Sequence, residues 1–390
     1  MELALDEDQQ LFHETTVRFI ETELPLERTR ALHDDPTGFE RGWLQKAAEL
    51  GWFTMLVPEA DGGGSVSGNG LVDATLIAEE IGRFVQPGPF IPMNVVAAAI
   101  AAEGSEAQRE MLPAIMAGEH IATWAFAAGD GNWDRGAGLQ ATRADEGFEL
   151  NGRRGFVQDA AAADTLLVVA ELDGSPVQFL VPISSSGITV TPLECLDLSR
   201  RLAHVDFESV TVDGDALVEC PGGDRPRADI LGTNDALERQ LQIALALVVA
   251  ETVGAIDALF TMTVQYAKDR VAFGRPIGSF QSLKHIMADD AMFLEACKAG
   301  AVSVTRAVQD RADDAGEIAS MVAAYVGDMA DQIAQDCLQI HGGIGYTWEH
   351  DLHLFMRRIR TNAVLYGEPA WHRERVCALN RLGTGAAVKS

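Results

Sequence analysis

Asp269-Arg270-Val271-Ala272-Phe273-Gly274-Arg275-Pro276-Ile277-Gly278-Ser279-Phe280-Gln281 and Gln339-Ile340-His341-Gly342-Gly343-Ile344-Gly345-Tyr346 are the two stretches on which the fold of this chain turns. In the first, an Arg ends a helical run, and Gly and Pro then turn the chain. Arginine offers a planar fork that matches phosphate oxygens, and Phe273 offers a flat face to an aromatic ring. The same residues also fit an Arg at a helix end and a Phe in a core. In the second stretch, Gly342, Gly343 and Gly345 let a backbone come close to a ligand, and their N–H groups suit a phosphate. A helix C-cap has the same look. Gln339 lies 66 positions after Phe273, a spacing that two long antiparallel helices fill.

Outward from these stretches the chain reads as three compositions. Residues 1–120 are helical: Leu11, Phe12, Thr15, Phe19 and Ile20 recur on one face. Trp43, Leu44, Ala47, Ala48 and Leu50 form a second amphipathic run, and further helices are predicted over 71–81 and 93–102. The glycine-rich segment 61–68 reads as a surface loop, since no strand precedes it and no Gly-Lys-Ser/Thr closes it. Residues 121–225 are β-rich, with strands predicted over 165–170, 177–181 and 204–212 and a hairpin turn at Asn151-Gly152. Pro221-Gly222-Gly223-Asp224-Arg225-Pro226 reads as a linker. Residues 226–390 are helical again. Their first helix, about 237–266, is apolar on most faces, which implies burial. Two more are predicted over 282–310 and 317–341.

The composition limits the function classes. The 390 residues are 47% hydrophobic and 23% charged, which suits several packed domains and excludes disorder over most of the length. Asp and Glu number 58 against 30 Lys and Arg, a net charge of −28. That balance argues against nucleic acid and anionic membranes, and it requires a local basic cluster for any polyphosphate ligand. Cys195, Cys220, Cys297, Cys337 and Cys377 are scattered, without zinc-ligand spacing, as buried thiols of a cytoplasmic protein would be. The run Trp348-Glu349-His350-Asp351-Leu352-His353 also lacks the geometry of a metal site, so no metal is expected. The acidic N-terminus predicts no signal peptide. No uncharged apolar run reaches about 18 residues, which predicts no membrane span.

Taken together and in this order, the two glycine-containing motifs resemble those of the acyl-CoA dehydrogenase family. The resemblance covers nearly the whole chain and is weakest in the β region. It implies an α+β fold with an N-terminal helical domain, a small middle β-barrel or sandwich, and a C-terminal four-helix bundle. It further implies FAD, an acyl-CoA substrate, an electron-transfer flavoprotein as electron acceptor, and a tetramer built from like or unlike chains. In the family, residues matching Arg270, Phe273, Gln281, Gln339, Gly342 and Gly343 reach the adenosine and pyrophosphate of FAD held mainly by the neighbouring subunit.

The same resemblance exposes departures. The family reaction is α,β-desaturation, in which a Glu takes the proton α to the thioester carbonyl and the β-hydrogen leaves as hydride to the flavin. One family position for that Glu falls 24 residues after Gly342, at Tyr366; the other falls 29 residues before Phe273, at Ala244. Neither is a carboxylate. Glu368 is the nearest substitute. Glu238 lies six residues early, about 9 Å along a helix, and Glu251 reads as paired within the packing. The family's flavin-contacting Thr-Glu-Pro-Gly-Ala-Gly-Ser-Asp corresponds to Ala127-Ala128-Gly129-Asp130-Gly131-Asn132-Trp133-Asp134, which lacks the hydroxyl. Its Trp-Ile-Thr becomes Phe156-Val157-Gln158, so Phe156 stands where a Trp packs on the flavin ring. The pattern predicts a non-catalytic subunit that completes a partner's FAD site. Three alternatives stand beside it: an active homotetramer using Glu368, a flavin oxidase or monooxygenase of the same fold, and a cofactor-free scaffold.

Overall fold

A computed structural model describes residues 5–131, 133, 137–218 and 235–380. Asn132, Asp134, Cys220 and the expected linker at 221–226 lie outside the described residues. The N-terminal helices are α1 (Glu7–Glu23), α2 (Leu26–Ala31), α3 (Arg41–Glu49), α4 (Gly70–Arg83), α5 (Phe90–Glu103), α6 (Glu106–Arg109) and α7 (Leu112–Met116). The strands β1 (Ala122–Ala125), β2 (Leu139–Ala144), β3 (Gly147–Gln158), β4 (Thr165–Leu172), β5 (Ser175–Pro182), β6 (Ile188–Pro192), β7 (Leu202–Asp213) and β8 (Leu217–Val218) follow. Then come α8 (Asp235–Asp269), the short strands β9 (Val271–Ala272) and β10 (Arg275–Pro276), α9 (Gln281–Gln309), α10 (Ala315–His341), α11 (Leu352–Asn362) and α12 (Pro369–Leu379). This is the α+β helix–sheet–helix order the motifs predicted.

By packing, the described residues form two compact units. The first comprises Leu5–Ile77 and Gln86–Ala244. Helix α1 opens with a capping box, in which Asp6 accepts from the Gln9 N–H at 2.8 Å and Gln9 accepts back from the Asp6 N–H. Gln9, Thr16 and Ile20 are its buried positions, whereas Leu11 is 61% exposed. Of the expected apolar face, Ile20 is buried and Phe19 packs against Trp43 and Trp52, while the polar Gln9 also turns inward and donates to Asp73 at 2.8 Å. Phe19, Trp43, Trp52 and Phe90 form the aromatic core of the helical part, with Trp52 meeting Phe19, Trp43 and Phe90 edge-on. Such aromatic contacts contribute about 0.5–1.5 kcal/mol beyond area burial.

The sheet runs β6-β7-β3-β2-β4-β5-β8, and β1 pairs in parallel with β4. Strand β4 is buried along almost its whole length, as its unbroken apolar run requires. The sequence placed a hairpin turn at Asn151-Gly152; instead β3 passes straight through these residues, and the β2–β3 turn lies between Ala144 and Gly147. The register of β3 against β7 slips between Leu150 and Gly152. Gly152 has φ +134°, and a Cβ there would stand 2.3 Å from the Gly138 carbonyl oxygen. The Asn-Gly pair thus makes a bulge where two backbones touch, a position only glycine fills.

The second unit comprises Ala78–Val85 and Leu245 onward. Helices α9 and α10 pack along one another, and α11 and α12 pack on α10. Helix α8 is long and apolar enough by composition to cross a membrane, but 83% of its most apolar window is buried inside the protein. Its hydropathy is that of a core helix. Among the described cysteines, Cys297 and Cys337 are buried as expected, Cys195 is half-buried and Cys377 is exposed.

Candidate functional site

The residues of the two motifs converge at one end of the second unit. Helix α8 ends at Asp269, and the chain makes a tight hairpin in which Ala272 and Arg275 pair across Phe273-Gly274. Both loop residues have positive φ, +52° and +78°. That is the geometry of a two-residue hairpin turn twisted to match its strands. A Phe in this conformation costs of order 1 kcal/mol, and its ring is 96% exposed. The backbone strain therefore holds an aromatic face out of the core. Arg270 is exposed, and no described residue bonds its guanidinium. Gln281, the first residue of α9, is exposed beside this hairpin in the chain.

Gln339 lies exposed on the last turn of α10, and Gly342 stops that helix at φ +61°, ψ −138°. No heavy atom lies within 4 Å of a Cβ built on Gly342 or on Gly343, so both backbones face open space. Tyr266 ties the two motifs together: its ring stacks on His341 at 4.4 Å, and its hydroxyl donates to the His341 carbonyl at 3.4 Å. The His341 Nδ1 lies 2.9 Å from the Cys337 carbonyl. Burial holds this imidazole below its ordinary value, so it is neutral at neutral pH. Residues 266–285 carry Lys268, Arg270, Arg275 and Lys284 against one carboxylate, Asp269. This is the local basic cluster that a polyphosphate needs in so acidic a chain. Free guanidinium, open glycine backbone and presented aromatic face fit the adenosine and pyrophosphate of FAD. Arg270 and Gly342-Gly343 would hold the phosphates, and Phe273 would meet the aromatic base.

The positions at which the family carries its base are closed. Ala244 is fully buried within α8, and Tyr366 is 5% exposed with φ +66°. Glu368 is exposed and serves as the N-cap residue of α12, where a carboxylate complements the helix dipole. Its candidate ionic partners are engaged elsewhere: Arg373 bonds Asp328, and Arg375 bonds the Ser320 hydroxyl. Glu251 is buried, and Arg358 donates to it at 2.8 Å. Glu238 accepts from Gln242 at 2.9 Å.

In the first unit, the described residues around the start of the stretch matching the flavin-contacting segment are bonded to their own sheet. Gly155 donates to the Ala127 carbonyl, and Arg154 donates to Phe126 and Ala137 at 3.1 and 2.7 Å. Burial pushes Arg154 down to about 9. Phe156 has φ +52°, its ring 3.2 Å from where a Cβ on Gly131 would sit. Gln158 spends every polar atom internally. Its amide nitrogen reaches the Gly88 carbonyl and Asp159, its side-chain oxygen accepts from Arg200 at 2.6 Å, and its carbonyl accepts from Thr123. Sequence reasoning missed the Tyr266–His341 clasp and the Gln158–Arg200 network. Both join residues too far apart for any periodicity to connect them. No cluster of three metal-ligating side chains occurs among the described residues.

The α+β helix–sheet–helix order is that of a known family of flavoprotein dehydrogenases. Residues 6–119 match the model of the acyl-CoA dehydrogenase N-terminal domain, and residues 232–378 match that of the C-terminal domain. The chain belongs to the acyl-CoA dehydrogenase family, oxidoreductases acting on the CH–CH group with FAD as cofactor. It is 29% identical over 367 residues to acyl-CoA dehydrogenase IpdE2 of Mycolicibacterium smegmatis, covering 94% of this chain and 96% of that one. It is 32% identical over 364 residues to acyl-CoA dehydrogenase FadE34 of Mycobacterium tuberculosis, covering 91% of this chain but only 45% of that longer protein. Among solved structures, a variant of the Tcur3481–Tcur3483 steroid ACAD superposes with a TM-score of 0.85 at 25% identity, over 97% of this chain and 99% of that one.

Proposed function

We propose that this chain is the non-catalytic subunit of a heteromeric acyl-CoA dehydrogenase. One observation carries the reading: both family positions for the base, Ala244 and Tyr366, hold no carboxylate and are buried, while the nucleotide-gripping end stays open. FAD supplies the hydride acceptor for desaturation. Proton abstraction needs an ionised carboxylate at the α-carbon, and misplacement by about 1 Å costs on the order of a hundredfold. The partner chain supplies that Glu and the flavin-ring pocket. This chain's Arg270 neutralises phosphate charge, Gly342 and Gly343 admit the diphosphate, and Phe273 covers the adenine. The internal bonding of Gln158 supports the same reading, since its amide is not free to meet a flavin.

Two likenesses support the assembly and the substrate. The steroid ACAD is described by two chain names, and FadE34 has room for a second body of this chain's size. The substrate class is an acyl-CoA thioester with a steroid side chain, and the electrons pass to an electron-transfer flavoprotein. The test is to purify the chain alone and after co-expression with a second acyl-CoA dehydrogenase chain that carries the catalytic Glu. The chain alone is expected to be nearly colourless and inactive, and the complex yellow and bleached by acyl-CoA. Full flavin and turnover in the chain alone would overturn the proposal, and Glu368→Gln would then show whether Glu368 is the base.

Gly343→Ala separates gripping from folding. The added methyl meets no neighbour, so the melting temperature is expected to hold. The methyl occupies the space a diphosphate needs, so flavin content in the co-expressed complex is expected to fall about tenfold, the equivalent of about 1.4 kcal/mol. Unchanged flavin content, measured by absorbance per protein, counts against the assignment of this loop.

A further inference from the structure

His341 is the last residue of α10 and directly precedes Gly342. It is 4% exposed. Its Nδ1 lies 2.9 Å from the Cys337 carbonyl, which can only accept. Nδ1 therefore carries the hydrogen, and Nε2 of the neutral ring is a bare acceptor. That Nε2 is buried and has no hydrogen-bond partner among the described residues. The ring stacks on Tyr266 of α8 at 4.4 Å and 17° from parallel, and His350 meets it edge-on at 4.9 Å. His350 Nδ1 accepts from the Leu352 N–H at 3.1 Å, covering one of the free N–H groups that open α11. The glycine loop folds back on this clasp: a Cβ on Gly345 would stand 3.2 Å from the His341 Cβ. The titratable groups facing the imidazole are Tyr266 from α8, Cys337 from its own helix and His350 from the turn before α11. Glu349 and Asp351 flank His350 in the chain, but no carboxylate acts on His341.

We propose that His341 is the positioning residue of the nucleotide grip: as a neutral ring keyed between Tyr266 and His350 it fixes the course of Gly342-Gly343, and on taking a proton it lets that course go. The inference rests on the reading that Gly342 and Gly343 admit the FAD diphosphate. A proton on Nε2 makes a donor where no acceptor stands, and sets its charge beside a second imidazole with no carboxylate to offset it. Burial first, and His350 besides, hold the ring below its ordinary 6.5. The folded chain thus refuses a proton that the unfolded chain accepts. The clasp's contribution to stability is full above about pH 6.5 and falls away as pH drops below that value. A cation acting directly on a diphosphate would tighten FAD on acidification. A clasp that must stay neutral loosens it.

The test is the dissociation constant of FAD from the co-expressed complex, read by flavin fluorescence between about pH 8 and about pH 5, where a histidine titrates. Wild type, His341→Asn and Gly343→Ala are compared. The Asn amide can donate to the Cys337 carbonyl but does not titrate. Below about pH 6.5 the wild-type constant is expected to rise several-fold, by at most about tenfold per pH unit for one proton, and that of His341→Asn to stay level. Over the same interval the melting temperature of the full chain without FAD is expected to fall more in the wild type than in His341→Asn. A level or falling wild-type constant, or a variant that follows the wild type, overturns the inference. If Gly343→Ala then also leaves FAD binding unchanged, the nucleotide reading of the loop fails with it. If Gly343→Ala weakens FAD, that reading stands and only the role of His341 is lost. Should His341→Asn not fold, His341→Gln replaces it, and if neither folds the wild-type curve alone decides.

Discussion

Gly254→Ala is expected to destabilise the full chain by about 3 kcal/mol, at the upper end of what overpacking costs. A Cβ on Gly254 would stand 1.8 Å from the Glu79 carbonyl oxygen, and one on Gly82 would stand 1.7 Å from that of Glu251. Helices α4 and α8 thus cross with each glycine against the other helix's backbone. A Cβ essentially never stands within about 3 Å of another non-bonded heavy atom, and backbone cannot swing aside as a side-chain tip does. The helices must separate, which also stretches the Arg83–Asp257 ion pair of 2.5 Å across the same crossing. Helix propensity works in the opposite direction, since Gly to Ala in a helix gains at most about 1 kcal/mol. Sterics therefore decide the sign. Gly42 in α3 has nothing within 4 Å of its built Cβ, so Gly42→Ala is expected to be neutral or stabilising. Thermal melts of the two variants check the pair. A Gly254→Ala protein as stable as wild type would show that the crossing is looser than described.

Glu251→Ala is expected to cost about 3–5 kcal/mol, the range for breaking a buried ion pair by removing one partner. Glu251 and Arg358 are each 1% exposed and 2.8 Å apart. Asn362 donates to the same oxygen at 3.2 Å. Truncation leaves a guanidinium in the interior without its counter-charge. Glu251→Gln keeps an acceptor and is expected to cost less. The double change Glu251→Leu with Arg358→Met removes both charges and is expected to recover most of the loss, because a buried pair often contributes little over an apolar replacement. Urea midpoints of the three variants measure this. The same series addresses chemistry: Glu251→Gln is expected to leave turnover of the co-expressed complex unchanged. Loss of turnover in a folded Gln variant would make Glu251 the base.

The helical periodicity of 282–310 and 317–341 predicted α9 and α10 to within two residues, because a long amphipathic run has one good solution. Asn151-Gly152 misled for the converse reason. The dipeptide permits a positive φ, but whether the chain turns or bulges there depends on Gly138, just before β2, approaching it. On α1 the pattern placed Phe19 and Ile20 in the core, but it carried no sign that the polar Gln9 turns inward to a tertiary bond with Asp73. At the candidate site, Arg270, Phe273, Gly342 and Gly343 were legible as residue types. Their convergence depends on Tyr266 stacking on His341, 75 positions away.

Local chemistry in the sequence was enough to determine the order of helices and strands, the strong acidity, and the missing carboxylates at 244 and 366. These follow from side-chain type and spacing alone. Only the folded chain decided that the glycine loop is open, that Phe273 is held outward in a strained turn, and that Gln158 is already committed. Each of those depends on which atoms from distant segments come within a few ångströms, and sequence spacing carries no record of that distance.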